Sequence, residues 1–305
     1  MKALTIEEAN ALMWEWDKVA KVRKGPMVNA IIGSKGFIGS RLKWYADNFL
    51  EDEWIGIHRD NARLWQNTRF KNIIWAAGSP RKDLSPRQLI GENYWAVREA
   101  LAGYYYDKFI YISSQAVYAD DVAKPNEDHE PNYYKLSDYG KSKIKGEWTV
   151  KDQCETYGKD YLIIRPNGFV GPGLKKNVIH SLAKDPPELY YTWDSKFQVI
   201  HTDIFATIVF MLASSFSGEI FNVTSEQVIT SVDVARMMGV DIKSVVQPKD
   251  HVLPHVSAIM DTSKLDTILK EANITLPSTE EAISKWNEPF EVRMHRVSCP
   301  MGQSK

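Results

Sequence analysis

Two side chains four residues apart, Tyr139 and Lys143, are the first pair in this chain able to move a proton. That spacing puts both on one face of a helix, one turn apart. A phenol titrates at about 10, so it serves as a base at neutral pH only when its anion is stabilised. A lysine ammonium one turn away does that, and so does the positive ring of an oxidised redox cofactor. Upstream, the apolar run Phe109-Ile110-Tyr111-Ile112 ends in Ser113-Ser114. A serine hydroxyl at such a strand end can hydrogen-bond a substrate oxygen while the attached carbon exchanges hydride. The Tyr-x-x-x-Lys spacing alone carries little, because Tyr104 and Lys108 repeat it. That second pair directly precedes a strand and has no Ser-Ser strand end upstream. Only the ordered set Ser114, Tyr139, Lys143 is therefore read as catalytic.

A second feature holds phosphate. Gly33-Ser34-Lys35-Gly36-Phe37-Ile38-Gly39 lies between the apolar run Val28 to Ile32 and a helical stretch, Ser40 to Phe49. The first glycine permits a tight turn, the second a close approach to a pyrophosphate, and the third close packing of helix on strand. The helix start then offers free N–H groups and the positive end of its dipole. A dinucleotide site of this kind places an acid at the end of the second strand to hold the ribose hydroxyls. Here that strand ends Ile57-His58-Arg59-Asp60, with His58 at the acid's place. Arg59 suits a bidentate contact with a 2′-phosphate, and Lys35 adds positive charge, so NADP is favoured. Asp60, one loop residue further, keeps NAD open.

The elements that must position these groups read as alternating strands and helices. Short continuous apolar runs at 28–32, 54–57, 73–76, 109–112 and 161–164 alternate with helical patterns at 40–49, 93–106 and 139–157. Strands buried on both faces and separated by helices mean a parallel sheet in a doubly wound, Rossmann-like α/β fold. Residues 27–170 are expected to form this nucleotide-binding domain, and 171–285 a smaller substrate-binding region with one late strand, 219–223, returning to the sheet. Residues 286–305 are expected to be a weakly structured tail. Before the sheet, Thr5 and Glu8 form a capping box opening an amphipathic helix within 1–26, stopped by Gly25-Pro26.

With 38 Lys plus Arg against 39 Asp plus Glu, bulk charge gives no reason to expect nucleic-acid binding. The two cysteines, Cys154 and Cys299, are too few for a disulfide framework or a zinc site, and no metal is expected. No apolar run is long enough to span a membrane, and the N-terminus lacks a secretory core, so the cytoplasm is the expected compartment.

Several stretches together resemble the extended short-chain dehydrogenase/reductase family of the NAD(P)-dependent epimerase/dehydratase type. The glycine loop is similar to the family's cofactor loop. Trp75-Ala76-Ala77-Gly78 resembles its cofactor-facing strand end, and Asn93 the asparagine opening its next helix. Ile112 to Tyr118 resembles the serine segment, with Ser114 at the catalytic place, and Tyr139 and Lys143 match the catalytic pair. Arg165-Pro166 and Gly171-Pro172 resemble the turn into the substrate region, His201-Thr202-Asp203 a later motif, and Phe221-Asn222-Val223 the strand after it. The resemblance, over about Val28 to Asp233, implies cofactor contacts from Ala76, Ala77, Gly78, Asn93, Arg165 and Pro166, and a homodimer through the helices at 93–106 and 139–157.

Two departures bear on the substrate. Family dehydratases carry an Asp-Glu pair where this chain has Gln115 and Ala116, so water elimination is not expected. The asparagine that meets a nucleotide diphosphate is replaced by Gly168, with Asn167 one residue early. On the substrate side the sequence offers Ser114, Gln115, Asn167, Lys175, Lys176, Asn177, Trp193 and His201. The two lysines suit a diphosphate, Trp193 a stacked base or sugar. A solvated lysine pair and a packed histidine are the plainer alternatives. The expected activity is epimerisation or keto-sugar reduction of a nucleotide sugar. The alternatives are NADP-dependent reduction of another carbonyl compound, or a non-catalytic NAD(P)-binding subunit.

Overall fold

The structure, a computed structural model, describes residues 27–65, 68–79, 83–119, 122–247 and 252–290. The expected N-terminal helix and Cys299 lie outside the described residues. Strand β1 (Val28–Ile32) is followed by α1 (Phe37–Phe49), β2 (Trp54–Ile57), β3 (Arg69–Trp75), α2 (Pro86–Ile90), α3 (Ala96–Gly103), β4 (Tyr105–Ile112), α4 (Asp138–Thr156) and β5 (Asp160–Pro166). Next come β6 (Gly168–Val170), α5 (Val178–Leu182), β7 (Lys196–Phe197), β8 (Val199–His201), α6 (Thr202–Ser215) and β9 (Glu219–Val223).

Six strands form one parallel sheet in the order β2-β1-β3-β4-β5-β9. Period-two alternation makes this sheet two-sided. Ile31, Ile74, Ile110 and Leu162 point to the layer holding α1 and α6, where they meet Leu42, Phe205 and Val209. Ala30, Ile32, Ile73, Phe109 and Ile163 point to the other layer and meet Val97, Leu101, Val150 and Cys154 of α3 and α4. The strand order reverses between β1 and β3, which opens a crevice at their carboxyl ends. The expected doubly wound fold is what the chain adopts, and the late strand β9 does join the sheet beside β5.

The helix expected at 93–106 ends at Gly103, because Tyr104 is already extended and Tyr105-Tyr106 pair with Arg69-Phe70. Aromatic residues fit a pleated surface, and sheet pairing overrides the helical period there. The expected loose tail is also corrected in part. Trp286 and Glu288 donate backbone hydrogen bonds back to Ile283 and Lys285, and Phe290 is buried. The Phe290 N–H donates to the Asp203 carboxylate at 2.8 Å, and that carboxylate takes a bidentate pair from Arg41 of α1 at 2.6 and 2.8 Å.

Lys108 shows how the second Tyr-x-x-x-Lys pair is used. Its ammonium leaves β4 to donate to the carbonyls of Ala213, at 2.6 Å, and Phe216 at the end of α6. A cation there meets the negative end of the helix dipole and caps its orphan carbonyls. Burial pushes the Lys108 ammonium below the usual lysine range, partly offset by Asp160. Lys108→Met is expected to lower stability by about 2 kcal/mol, the scale of charged hydrogen bonds, measured by denaturant unfolding. Among the described residues no helix is long and apolar enough to cross a membrane.

Candidate active site

The crevice is lined first by the glycine loop. Gly33 takes φ +90°, and a Cβ there would lie 2.6 Å from the Ala77 nitrogen. The loop therefore rests directly on the Ala76-Ala77 backbone, whose Ala76 N–H donates to Ile32 at 2.9 Å. Gly36 caps α1 without any side-chain hydrogen bond, so the helix start keeps its free N–H groups. Gly39 packs so closely that a Cβ would stand 2.1 Å from the Gly33 carbonyl oxygen. Phe37 and Ile38 open the helix between them, with Phe37 packed edge-on against Phe169.

At the end of β2 the His58 N–H donates to the Asn61 side chain at 2.8 Å, and Asn61 donates to the Gly56 carbonyl at 2.9 Å. The buried Nδ1 of His58 has no partner among the described residues. Arg59 is exposed. Lys35 and Asp60 face each other at 3.0 Å, and that contact holds the Asp60 carboxyl below its usual range. Such an exposed pair is weak in water and separates readily for a ligand. A bare helix start, a glycine cradle that a Cβ would fill, and an orphaned imidazole nitrogen together fit a dinucleotide.

Asn93 works one layer below. Its Oδ1 accepts from the Ser79 N–H at 2.9 Å, and its Nδ2 donates to the Ser79 and Leu89 carbonyls, each at 3.1 Å. A Cβ on Gly78 would lie 2.5 Å from that Oδ1. The asparagine, buried, thus fixes the Ala76-Ala77-Gly78 strand end from beneath.

The proton-moving groups converge beside β4. Helix α4 starts at Ser137, whose hydroxyl accepts from the Gly140 N–H at 3.1 Å. Two glycines set its position. A Cβ on Gly140 would lie 2.1 Å from the Ala116 carbonyl oxygen, and one on Gly146 would lie 2.3 Å from the Tyr111 hydroxyl. Burial raises the Tyr139 phenol above its usual range, and the Ser114 hydroxyl, its hydrogen-bond partner, opposes the rise. The Ser114 oxygen also accepts from the Ala116 N–H at 3.2 Å. Lys143 is buried. Its ammonium donates to the Ile112 carbonyl at 2.7 Å and stands 4.1 Å from the centre of the Tyr111 ring. Desolvation pushes it down to about 7, against the opposing pull of Glu147.

Arg165 is placed differently from its expected contact with the cofactor. Its guanidinium is buried and forms a bidentate pair with Glu147, with Nη2 at 2.7 Å, while Nη1 donates to the Tyr118 hydroxyl at 2.8 Å. The side chain is consumed in the core, and only the neighbouring Pro166 backbone continues toward the crevice. His201 is likewise corrected. It is fully buried, accepts from the Asp203 N–H at 3.2 Å, and sits against Phe290, so no substrate reaches its ring.

The remaining substrate-side residues separate. Gln115 follows Ser114 in a short turn, partly buried. Asn167 donates to the Ala258 carbonyl at 2.8 Å, tying β6 to the segment at 257–258. Asn177 caps α5 and donates to the Phe169 carbonyl at 2.8 Å, a structural use of both ends of its amide. Lys175 and Lys176 are exposed on the intervening loop. Trp193 is partly buried and packs on the apolar cluster of Leu189, Val199 and Ile229. Glu147 and Tyr111 escaped the sequence reading, although 139, 143 and 147 share one helical face and signalled a third buried partner.

Comparison with known proteins agrees with this fold. The profile of the NAD dependent epimerase/dehydratase family matches residues 30–224, well over half of the chain. An uncharacterized protein of Sinorhizobium fredii, y4nG, is 31% identical over 156 residues, 49% of this chain and 38% of that one. A dTDP-D-glucose 4,6-dehydratase of Dictyostelium discoideum is 22% identical over 229 residues, 64% of this chain and 49% of that one. The aligned region thus spans less than half the length of either curated relative. Among solved structures, the UDP-glucuronic acid 4-epimerase of Bacillus cereus, in complex with UDP-glucuronic acid and NAD, superposes with a TM-score of 0.71 at 18% identity. That match covers 86% of this chain and 98% of the other, and at such identity it establishes the fold.

Proposed function

The chain belongs to the NAD dependent epimerase/dehydratase family, and from that premise we propose that it is an enzyme that epimerises or reduces a nucleotide sugar by hydride exchange. Support comes chiefly from one juxtaposition: Ser114, Tyr139 and Lys143 meet at the carboxyl end of β4, one strand away from the glycine crevice. The bound nicotinamide supplies the acceptor and donor of hydride. Gly33, Gly36, Phe37, Ile38 and Gly39 would hold its pyrophosphate, His58, Arg59 and Lys35 the adenosine end, and Ala76 to Gly78 the floor. Tyr139 would take the proton of a sugar hydroxyl, or return one to a ketone, while Ser114 holds the same oxygen. Lys143 would supply the positive charge that keeps the phenolate accessible.

Arg59 and Lys35 favour NADP, a preference that competitive binding of the two cofactors decides. Gln115 and Ala116 leave no acid–base pair for dehydration, so the two chemistries left are epimerisation and reduction. A second reading, reduction of a carbonyl compound without a nucleotide, is favoured by one observation: the amide of Asn167 is already bonded to Ala258 and Gly168 offers no side chain in its place. A thermal-shift screen with NAD, NADP and UDP-, dTDP- and GDP-sugars tests the proposal. Stabilisation by a cofactor and by one nucleotide class is expected, since a ligand that binds only the folded state raises stability. Response to a cofactor but to no nucleotide sugar shifts the substrate to the second reading.

The homodimer remains part of the proposal. Trp95, 47% exposed, and Trp148, 49% exposed, lie on the π turn before α3 and on α4, a broad aromatic surface for a pair of helices to cover. Light scattering is expected to give twice the 34.9 kDa chain mass, and a monomer mass at high concentration would remove this part.

A further inference from the structure

Three side chains on the inward face of α4, one per helical turn, engage three consecutive residues of the strand end. Tyr139 meets the Ser114 hydroxyl, Lys143 donates to the Ile112 carbonyl at 2.7 Å, and Glu147 accepts from the Ser113 hydroxyl. The first two belong to the proposed chemistry. The third does not, yet it is the best fastened of the three. Glu147 is 2% exposed and takes three contacts from Arg165, at 2.7, 3.1 and 3.2 Å. Arg165 in turn donates to Tyr118, whose hydroxyl donates to Asn222 of β9 at 2.8 Å. The carboxylate is thus tied to β4, β5 and, through two side chains, β9.

A buried ion pair is costly to form, and its apolar replacement is often no less stable. Pure stability therefore does not explain why a carboxylate lies here rather than a leucine. Its surroundings give a reason. The charged and titratable groups packed around it are Lys143 on its own helix, Tyr111 from β4 and Arg165 from β5, with Tyr118 beyond the arginine. Among the described residues, no other carboxylate acts on Lys143. Deep burial would strip its proton, and Glu147 opposes that loss.

We propose that Glu147 is a positioning residue that fastens the Ser113-Ser114 strand end one helical turn from Lys143, touching no substrate atom itself. The proposal rests on the catalytic role given above to Ser114, Tyr139 and Lys143. It has a consequence that simple packing lacks. Removing the carboxylate charge leaves the Lys143 side chain buried and unsupported, so it loses its proton at lower pH. The alkaline limb of the turnover profile moves down with it.

The test uses full-length protein labelled with ¹³C at lysine Cε, with the Lys143 signal assigned by its loss in Lys143→Met. Glu147→Gln alone strands Arg165 in the core, so the main variant is the double substitution Glu147→Gln with Arg165→Met, which removes both charges and keeps the fold. The expected result is a Lys143 titration midpoint lower by about one pH unit or more than in the wild type. Glu147→Asp, which keeps the charge, is expected to restore most of the difference. With turnover as a second readout, kcat should fall about tenfold at neutral pH while KM changes little. A midpoint identical in the double variant and the wild type would overturn the inference and leave Glu147 a packing residue. The titration needs neither substrate nor turnover. A wild-type protein inactive toward every nucleotide sugar would therefore sink the functional proposal, while the shift in Lys143 would still decide this one.

Discussion

Tyr139→Phe is expected to lower turnover by about a thousandfold while cofactor affinity stays within a few-fold of the wild type. The substitution removes one oxygen and nothing else. The ring still fills its place at the start of α4, and Gly140 still sits against Ala116. What disappears is the phenol that bonds the Ser114 hydroxyl. Because burial raises that phenol and Lys143 itself is pushed down to about 7, the cofactor-free site is a poor base. A positive cofactor ring and a charged Lys143 both favour the phenolate, so base strength arises only in the assembled complex. Steady-state kinetics beside cofactor titration checks both halves. Turnover above about a tenth of the wild-type value in the phenylalanine variant would remove Tyr139 from the chemistry.

Gly39→Ala is expected to weaken cofactor binding by about a hundredfold or more, roughly 3 kcal/mol. A Cβ at this position would stand 2.1 Å from the Gly33 carbonyl oxygen, 2.7 Å from its carbon and 3.1 Å from the Ser34 nitrogen. All three are backbone atoms of the loop proposed to wrap a pyrophosphate, so no side chain can swing away to make room. Either α1 retreats or the loop opens, and the free N–H groups at the helix start lose their aim. Gly91→Ala is the matched control, since a Cβ there meets nothing within 4 Å and its backbone is helical. That variant should bind cofactor normally and be slightly more stable, by about 0.5 kcal/mol. Calorimetric titration of both variants separates a loop effect from a general cost of losing glycine.

The parts of this molecule that sequence pattern reveals are those governed by local periodicity. Runs such as Ile73-Ile74-Trp75 and Phe109 to Ile112 lie within strands in the structure, because burial on both faces demands continuous apolar side chains. The glycine loop and the Tyr139–Lys143 pair are equally local, one set by a turn and the other by a helical repeat. Failures come from distance in the chain. Arg165 looked like a cofactor ligand because its neighbours resemble such a turn, but its partner Glu147 lies on another element and only the fold brings them together. His201 reads as a substrate contact, but the 286–290 segment covers it through Phe290 and Glu288. Asn167 reads as a substrate contact, and a carbonyl 91 positions later claims its amide. Polar residues are the hard case, since whether each meets solvent, substrate or a buried partner is decided by contacts with no sequence period.

The two glycine notches of α4 carry a consequence for how such a molecule can change. One receives the Ala116 carbonyl and the other the Tyr111 hydroxyl, and both partners belong to β4 or the turn just after it. A rod seated on two dowels can neither slide nor roll. The proposed reacting groups are thereby indexed to the central sheet, without reference to the short strands and loops of residues 168–201. Those outer segments can be exchanged, lengthened or trimmed as a separate module while the chemistry keeps its alignment. New substrate ranges should then be obtained by grafting this region from a relative, with Gly140 and Gly146 left untouched.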